Sequence, residues 1–383
     1  MESRLPITRR ILSQNLASQR SDRLGRVNAG QHIRQRGTSA FTAARSTVYR
    51  IPSHPVNGWA PEVYLGRCAH LAALVVAFFI TAISVKAQNP AAAQPDFSKV
   101  AITITKVTDH FYTLDGKGYD QCDGGPCTPD GTVGILTGSD GILMVDDKYA
   151  PLSGKIVAAI RQVSSAPIRF LVNTHVHGDH TQGNENFGIM GATIIAREEV
   201  RQRLLRGQLY STGPLFPPAA PAALPIITFA ETLTLHINGD DVDLIPVPRA
   251  HTDGDIIVRF RNADVLMTGD IYRSIQYPNI DRSDGGTLDG LLDGLGRIIA
   301  LAGPNTRIVP GHGPVVDRAA VIAHRDMILV IRERVSQWIQ QGKSVDEVLA
   351  ARPTSEYDAR IPQSARYLDR FVRQLYAELK PAN

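Results

Sequence analysis

Three histidines and one aspartate fall within six residues of this chain, in the segment NTHVHGDH at 173–180: His175, His177, Asp179 and His180. Imidazole nitrogens and carboxylate oxygens are ligands of borderline cations such as zinc, and they bind in deprotonated form. The apolar run Ile168–Asn173 predicts a buried strand just before them, so these side chains leave a sheet on a loop. The i, i+2 spacing of the first two histidines disfavours a helical zinc motif, which needs i, i+4 spacing. The segment therefore predicts a metal site on a loop.

Charge is distributed unevenly along the chain. Of the 383 residues, 43% are hydrophobic, which is enough to build a sizeable core. Met1–Ala87 contains 11 Arg and one Lys against three acidic residues, so a net charge of +4 for the whole chain leaves −5 for the remainder. We expect residues 1–64 to be a basic disordered extension or a mis-assigned start. The acidic remainder lacks an evident Lys/Arg stripe, which argues against a nucleic-acid partner.

An uncharged apolar run, Leu71–Val85, lies between Arg67 and Lys86. Its length and flanking residues are typical of a secretory signal, with a small-residue cleavage site at its end. We expect residues 65–87 to be a signal peptide that is cleaved after Ala87, and the protein to be exported to the periplasm or secreted. Retention of the segment as a membrane anchor is the alternative, although a spanning helix needs about 20 apolar residues. The predicted contact with a membrane is confined to this segment.

Cysteine usage agrees with export. The proposed signal contains Cys68, which leaves Cys122 and Cys127 in the mature part. The intervening Asp-Gly-Gly-Pro is a turn sequence that brings the two Cα atoms within bridging range, and an oxidising compartment keeps such a pair oxidised. We predict a disulfide between Cys122 and Cys127, with two free thiols as the alternative.

The chain beyond Val100 is predicted to consist of two αβ halves. Apolar runs bounded by turn residues predict strands at Phe111–Leu114, Gly134–Thr137, Gly141–Val145, Ile168–Asn173, Ile194–Ala196, Thr232–Ile237, Val242–Val247, Ile256–Phe260, Val265–Met267 and Arg307–Val309. Helical periodicity predicts helices at Pro151–Val163, Glu198–Leu205, Leu288–Ala302, Ala319–Gln341, Val345–Ala351 and Ser364–Leu379. This order favours two packed sheets with helices on both outer faces. We expect one domain at 88–316 and a helical extension packed on it at 317–383.

Three further segments each place one possible ligand after a predicted strand. They are VPRAHTDGD with His251, MTGD with Asp270, and VPGHGP with His312. Each segment alone is an ordinary turn sequence. Together with the first cluster they supply five histidines and two aspartates, a number that suits two cations with one shared ligand.

This pattern resembles the metallo-β-lactamase superfamily, which is marked by H-x-H-x-D-H followed by separated His, Asp and His ligands. The resemblance covers about 100–316 and implies a four-layer αββα sandwich with two Zn²⁺ at one edge, although iron is possible. It implies that three histidines hold the first metal: His175, His177 and His251. It implies that the second metal is held by Asp179, His180 and His312. Asp270 would bridge the two, and Asp146 would orient ligands.

The resemblance also implies a reaction. A hydroxide bridging two zinc ions would attack an ester, lactone, thioester or amide-like carbonyl of a small-molecule substrate. Asp179 would be catalytic, because a carboxylate with one oxygen on metal has another free to orient the hydroxide and carry its proton. Tyr272 or Tyr277, just past Asp270, would donate to the substrate, with Tyr272 preferred.

Alternatives to this reaction remain open. Classical zinc β-lactamases of the family place a cysteine or a residue that does not bind metal where this chain has Asp270, so an exported β-lactamase is less favoured. Some relatives use one iron for sulfur oxidation, which would make the chain a mononuclear iron sulfur dioxygenase. A protein that binds metal without catalysis is the third alternative. The sequence predicts no oligomeric state.

Overall fold

The computed structural model of the chain describes residues 96–117, 131–209, 215–247 and 249–380. The expected basic extension (1–64), the signal peptide (65–87) and the pair Cys122 and Cys127 lie outside these residues, so the three predictions stay predictions. Within the described ranges, no helix combines the length and the apolar character needed to cross a membrane.

Fourteen strands and eight α-helices are assigned in the described residues. The strands are β1 (Ala101–Lys106), β2 (Phe111–Lys117), β3 (Val133–Leu136), β4 (Ile142–Val145), β5 (Ile168–Val172), β6 (Thr193–Arg197), β7 (Gln208–Leu209), β8 (Leu215–Phe216), β9 (Ile227–Phe229), β10 (Leu233–Ile237), β11 (Asp240–Pro246), β12 (Ile256–Phe260), β13 (Val265–Met267) and β14 (Arg307–Val309). The helices are α1 (Ser153–Ile160), α2 (Gly178–Thr181), α3 (Asn184–Ile189), α4 (Glu198–Arg206), α5 (Leu288–Leu301), α6 (Arg318–Gln340), α7 (Val345–Ala350) and α8 (Ser364–Leu379).

Most strands belong to two sheets. The first has the order β1-β2-β3-β4-β5-β6-β9, and the second has the order β10-β11-β12-β13-β14. In the first sheet, β4, β5 and β6 run parallel. In the second, β11 and β13 are both antiparallel to β12, and β13 is parallel to β14. The carboxyl ends of β11, β13 and β14 therefore meet at one edge, as do those of β4, β5 and β6.

The two sheets pack face to face, and side-chain alternation along the strands explains why. On β4, Leu143 and Val145 belong to an apolar core that also contains Val242 and Val258 of the second sheet. The intervening Met144 points to the opposite face, into a core with Ile156 of α1. Successive side chains of a strand point to opposite faces, so a strand buried on both sides is apolar throughout. The predicted four-layer αββα sandwich is confirmed.

The helices of the C-terminal region share a core with the outer face of the second sheet. Ile257 and Leu266 of that sheet pack with Leu295 of α5, Ile331 of α6 and Phe371 of α8. Local sequence fixes where these helices begin, since Thr287 accepts a hydrogen bond from the Gly290 amide, Asp317 caps α6 in the same way, and Ser344 with Glu347 forms a capping box. The extension at 317–383 therefore contributes to the same core as the second sheet.

The elements that were not predicted are short or half-exposed. β1 lies at the end of the first sheet and buries no side chain fully, so its alternation is weak in the sequence. The other end strand, β9, has three residues. α2 and α3 have four and six residues, too few to show helical periodicity.

Candidate metal centre

The seven predicted ligands converge from four separate segments of the chain. Each offers one nitrogen or oxygen atom, and these atoms lie within 4.8 Å of one another in two groups. We call the first group cluster one: His175, His177, His251 and Asp270. We call the second group cluster two: Asp179, His180 and His312. Every one of these residues follows the carboxyl end of β5, β11, β13 or β14, at the edges where those ends meet.

Asp270 lies between the two clusters. Its Oδ2 is 4.0 Å from Nε2 of His175 and 3.6 Å from Nε2 of His251. Its Oδ1 is 3.4 Å from Nε2 of His180 and 3.2 Å from Nε2 of His312. Each carboxylate oxygen therefore faces a different cluster. This is the arrangement that a ligand shared by two cations needs.

Three of the imidazoles are held from outside by a hydrogen bond to oxygen. His180 Nδ1 is 2.7 Å from Oδ2 of Asp146, and His251 Nδ1 donates to the carbonyl of Asn279 at 2.7 Å. His177 Nε2 is 3.0 Å from Oδ2 of Asp281. A partner on the outer nitrogen fixes the orientation of the ring and leaves the other nitrogen facing inward.

His175 is oriented indirectly by the same carboxylate that holds His180. Oγ1 of Thr174 donates to Oδ2 of Asp146 at 2.8 Å, so its lone pair accepts from Nδ1 of His175 at 3.0 Å. The Thr174 amide donates to the other oxygen of Asp146 at 2.7 Å. Asp146 has φ 58°, a backbone conformation that costs energy outside glycine. The predicted supporting aspartate is therefore the anchor of two imidazoles.

The atoms that face the interior of the site have no hydrogen-bond partner among the described residues. They are Nε2 of His175, His180 and His312 and both carboxylate oxygens of Asp270. Leaving buried polar atoms without partners costs about 1–3 kcal/mol each, unless a ligand satisfies them. A borderline divalent cation accepts this set of nitrogen and oxygen donors, so the residues fit a metal.

Electrostatics separate the imidazoles into two types. Burial and the neighbouring imidazoles lower the pKa of His175 well below its ordinary value, and burial and His177 lower the pKa of His251 to about 3. Burial also opposes a charge on His177, but the carboxylates of Asp281 and Asp284 raise its pKa to about 9. A cation that binds the first type meets neutral nitrogens, whereas one that binds His177 displaces a proton.

Two glycines leave room for the acidic ligand. A Cβ on Gly311 would lie 2.1 Å from Oδ1 of Asp270, inside the volume of the carboxylate. Gly269 has φ +49°, and a Cβ there would lie 2.7 Å from Oγ1 of Thr174. Their presence in ordinary turn sequences thus has a specific reason, since the backbone passes directly against Asp270 at Gly311 and against Thr174, which orients His175, at Gly269.

Comparison with known proteins identifies the region that contains this site. The family model of the metallo-beta-lactamase superfamily matches residues 132–312, which include all seven predicted ligands. The chain contains a metallo-beta-lactamase superfamily domain. It is also 22% identical over 289 residues to the linear primary-alkylsulfatase of Pseudomonas sp. (strain ATCC 19151). That alignment covers 64% of this chain and 53% of the relative, so the chain spans about half the length of the relative.

Solved structures of similar proteins include two metallo-beta-lactamases. One, from Pontibacter korlensis, has a TM-score of 0.49 and 18% identity, and the match covers 59% of this chain and 99% of that chain. The other is the DIM-1 metallo-beta-lactamase exposed to ceftazidime, with a TM-score of 0.48 and 16% identity over 59% of this chain and 95% of that chain.

Both tyrosines suggested as substrate donors in the metallo-beta-lactamase domain lie in the apolar core. Tyr272 is 3% exposed, and its ring packs edge-on against His324 of α6 with centroids 5.0 Å apart. Burial raises its pKa to about 12. The hydroxyl of Tyr277 donates to Asp358 at 2.8 Å. The substrate-binding role of Tyr272 stays a prediction, and the described contacts give it a packing role.

Two acidic residues of the site were missed from the sequence. Asp281 and Asp284 lie 3.0 and 3.4 Å from Nε2 of His177. Asp284 also accepts from Arg203 at 2.6 Å. They follow no apolar strand and share no spacing with the ligands, so nothing local in the sequence marks them.

The C-terminal helix supports the segment that holds cluster one. Gln374 of α8 accepts from the Ile280 amide at 3.0 Å and donates to the side chain of Asn279 at 2.8 Å. The carbonyl of Asn279 orients His251, and the adjacent Asp281 orients His177. One glutamine outside the matched residues 132–312 therefore fixes the segment on which two imidazoles of the metallo-beta-lactamase domain depend.

Proposed function

We propose that the protein is a metal-dependent hydrolase with a dinuclear zinc centre, and that it cleaves an ester, lactone, thioester or amide-like bond of a small molecule. The observation that carries the proposal is the position of Asp270 between two groups of inward-facing nitrogens, with one carboxylate oxygen toward each group. The metallo-beta-lactamase superfamily domain supports hydrolysis as the class of reaction.

Each of the two clusters would hold one metal ion. Cluster one would hold one ion through His175, His177 and His251, cluster two would hold the other through Asp179, His180 and His312, and Asp270 would contact both. Zinc ions held there would supply Lewis acidity to the scissile carbonyl and lower the pKa of water to about 7.

Asp179 is the residue best placed to move a proton. Its side chain is 14% exposed, the most of the seven proposed ligands, and its Oδ2 lies 3.2 Å from Nε2 of His312. Burial opposes its charge, but His180 and His312 hold its pKa below the ordinary value. The carboxylate is therefore ionised at neutral pH, and its second oxygen is free to orient the attacking water and accept its proton.

Hydrolysis of a sulfate ester is a second candidate, because the relative that shares 22% identity over 289 residues is an alkylsulfatase. A sulfate ester differs from a carboxylic ester in carrying a negative charge at the reacting group. The two candidates are therefore separated by substrate charge.

A substrate panel tests the proposal. Zinc-loaded protein should hydrolyse at least one of a p-nitrophenyl ester, a thioester, a lactone, an alkyl sulfate or nitrocefin, and chelation should abolish the turnover. Nitrocefin turnover alone would favour the β-lactamase alternative. Elemental analysis should find about two zinc ions per chain. One iron per chain with oxygen consumption would support the sulfur dioxygenase instead, and full activity after chelation would refute the metal requirement.

We also propose that the protein is exported. The support is the apolar run Leu71–Val85 with its charged flanks, which suits a cleaved signal. Expression of the full chain followed by N-terminal sequencing of the product tests this. A mature protein that begins near Gln88 is expected, and one that begins near Met1 would contradict it.

A further inference from the structure

A buried arginine lies directly beside the proposed metal centre. Arg273, three residues after Asp270, is 4% exposed, and its Nε is within ion-pair distance of Oδ2 of Asp270, at 3.2 Å. Its Nε and Nη1 are shielded from solvent and make no hydrogen bond to any described residue. Asp270 already faces imidazoles of both clusters, so it does not satisfy the planar donor fork of this guanidinium.

A second arginine reaches the same place from the C-terminal helix. Cζ of Arg370 in α8 lies 4.7 Å from the centre of the Tyr367 ring, and Cζ of Arg273 lies 5.8 Å from the same ring. Within the part of the chain that the structure describes, Arg370 has no ion-pair partner, and its buried Nε and Nη2 make no hydrogen bond. Burial and Arg273 together lower its pKa to about 10, so it is still charged at neutral pH.

Two neighbouring guanidinium groups with shielded nitrogens and no hydrogen-bond acceptors lower the stability of the folded protein. A buried charge normally has a partner of opposite sign, because desolvation costs several kcal/mol and like charges add repulsion. Stacking on an aromatic ring offsets only part of that cost. Nη1 of Arg273 and Nε and Nη2 of Arg370 are therefore shielded nitrogens without an acceptor among the described residues, and Nε of Arg273 has only the ion-pair contact with Asp270.

We propose that Arg370, together with Arg273, binds an anionic oxygen group of the substrate beside the metal centre, either a sulfate or a carboxylate. The guanidinium fork presents parallel donors that match two oxygens of such a group, and each charge-assisted hydrogen bond is stronger than a neutral one. This inference rests on the proposed hydrolase function and narrows its substrates to anions.

The position of the arginines limits where the anion sits. Arg273 is in ion-pair contact with Asp270, so an anion on its free donors lies within one side-chain length of the proposed ligands. Two substrate types satisfy this distance: a sulfate ester, in which the anion is the reacting group, and a carboxylic ester with a carboxylate close to the scissile bond. Arg370 lies outside the matched residues 132–312, so the extension at 317–383 would contribute to specificity.

Anion binding is tested without turnover. The full zinc-loaded chain is titrated with sulfate, and in parallel with acetate, at constant ionic strength, and binding is measured by calorimetry. Arg370→Met removes the charge and the fork while keeping an unbranched chain of similar length. Arg373→Met is the matched control, since Arg373 is an exposed residue on the same helix that pairs with Asp346 at 2.9 Å.

We expect Arg370→Met to weaken binding of at least one of the two anions by about tenfold or more, the loss of one charge-assisted hydrogen bond. Arg373→Met should bind as the wild type does. Equal binding by the wild type and Arg370→Met would place the anion elsewhere and overturn the proposal, as would no binding by the wild type.

Thermal unfolding provides a readout that a purely structural role would not reproduce. Without anion, Arg370→Met should unfold at the same temperature as the wild type or higher, because it removes a half-buried charge whose shielded Nε and Nη2 have no acceptor among the described residues. Addition of the bound anion should raise the unfolding temperature of the wild type but not of the variant. A variant that is destabilised and still stabilised by the anion would show that Arg370 only supports the fold.

Steady-state kinetics distinguish a sulfate substrate from a carboxylate substrate. They also test the hydrolase proposal separately from the proposed anion site. An alkyl sulfate and a p-nitrophenyl ester with a terminal carboxylate are each compared with a neutral p-nitrophenyl ester of the same length. Arg370→Met should lower the ratio of kcat/KM for the anionic to the neutral substrate about tenfold, mainly through KM. If the wild type hydrolyses nothing but shows Arg370-dependent anion binding, the hydrolase proposal fails and the anion site stands.

Discussion

The two clusters of the candidate metal centre are supported by different parts of the molecule. Cluster two is supported by the first sheet, since Asp146, immediately after β4, is hydrogen-bonded to His180. In cluster one, His177 and His251 are instead hydrogen-bonded to the segment 279–281. Gln374 of α8 holds that segment in place. The two halves of one centre thus depend largely on different supports, although Asp146 also orients His175 of cluster one through Thr174.

The difference indicates which substitutions can affect one cluster and leave the other intact. Asp146 accepts three hydrogen bonds within the first sheet and its loop, so the support of cluster two is short and local. The support of cluster one passes through a loop and then through a helix of the extension at 317–383. A change in that extension can therefore reach one half of the centre and leave the other half intact, a selectivity that metal-binding measurements can test.

Loss of the shared ligand should have the largest effect, because it removes the one residue common to both clusters. Asp270→Ala is expected to reduce kcat/KM by more than the roughly 10- to 100-fold typical of residues that only orient a ligand, and to lower the zinc content below two per chain. Measurement combines initial rates with elemental analysis. Asp293→Ala, an exposed aspartate on α5, is the control. Two zinc ions and full activity in Asp270→Ala would exclude a bridging role.

Substitution of the carboxylates that orient the imidazoles from outside the site should affect the two zinc positions differently. Asp281→Asn is expected to weaken the zinc position of cluster one about 10- to 100-fold. Asp146→Asn should weaken the position of cluster two by a similar factor, with a smaller loss at cluster one because Asp146 also orients His175 through Thr174. Competition with a chelator, followed by zinc titration, reports the two affinities separately in each variant. Because Asp146 also holds Thr174, its variant should additionally lower the free energy of unfolding. Equal weakening of both positions by Asp281→Asn would break the distinction between the clusters.

The position of the ligands at the ends of apolar strands explains which parts of the site were predicted from the sequence. The ligands were predicted because each of their segments follows an apolar strand, whereas the supporting role of Asp146 was implied by the resemblance to the metallo-β-lactamase superfamily. The sandwich was predictable for the same reason, since strands such as β4 are apolar at every position and must be buried on both faces.

The residues that sequence reasoning missed act over a long separation along the chain. Asp281 meets His177 across 104 positions, and Gln374 meets Ile280 across 94. Arg370 is one of three arginines on the amphipathic helix α8, and its partial burial and its lack of an ion-pair partner among the described residues distinguish it from Arg373. No local pattern encodes such pairings, because they arise only when the loop before α5 packs against α8 and against the loop after β5.

Gln374→Met should have a smaller and more selective effect. The variant keeps the length of the side chain but loses both hydrogen bonds to the segment 279–281. We expect zinc affinity at cluster one to fall by about tenfold or less, with no change at cluster two, because the loop loses its clamp while the ligands remain. The same chelator competition measures it. An equal loss at both positions would indicate general loosening of the fold, and no loss would remove α8 from the support of the centre.

His324 offers the mildest test, because it is a buried imidazole that has no carboxylate partner among the described residues. Burial lowers its pKa to about 4, whereas carboxylates raise that of His177 to about 9. A folded-state pKa below the unfolded value of about 6.5 means that the unfolded chain binds the proton more tightly, so this residue costs stability as pH falls from about 6.5 toward 4. Between pH 7.5 and 5.5 the cost is about 1 kcal/mol. His324→Phe keeps a ring against Tyr272 and should remove that part of the pH dependence in denaturant titrations. If wild type and variant lose the same stability over this range, burial alone does not set the protonation of imidazoles here, and the contrast drawn between partnered and unpartnered histidines fails.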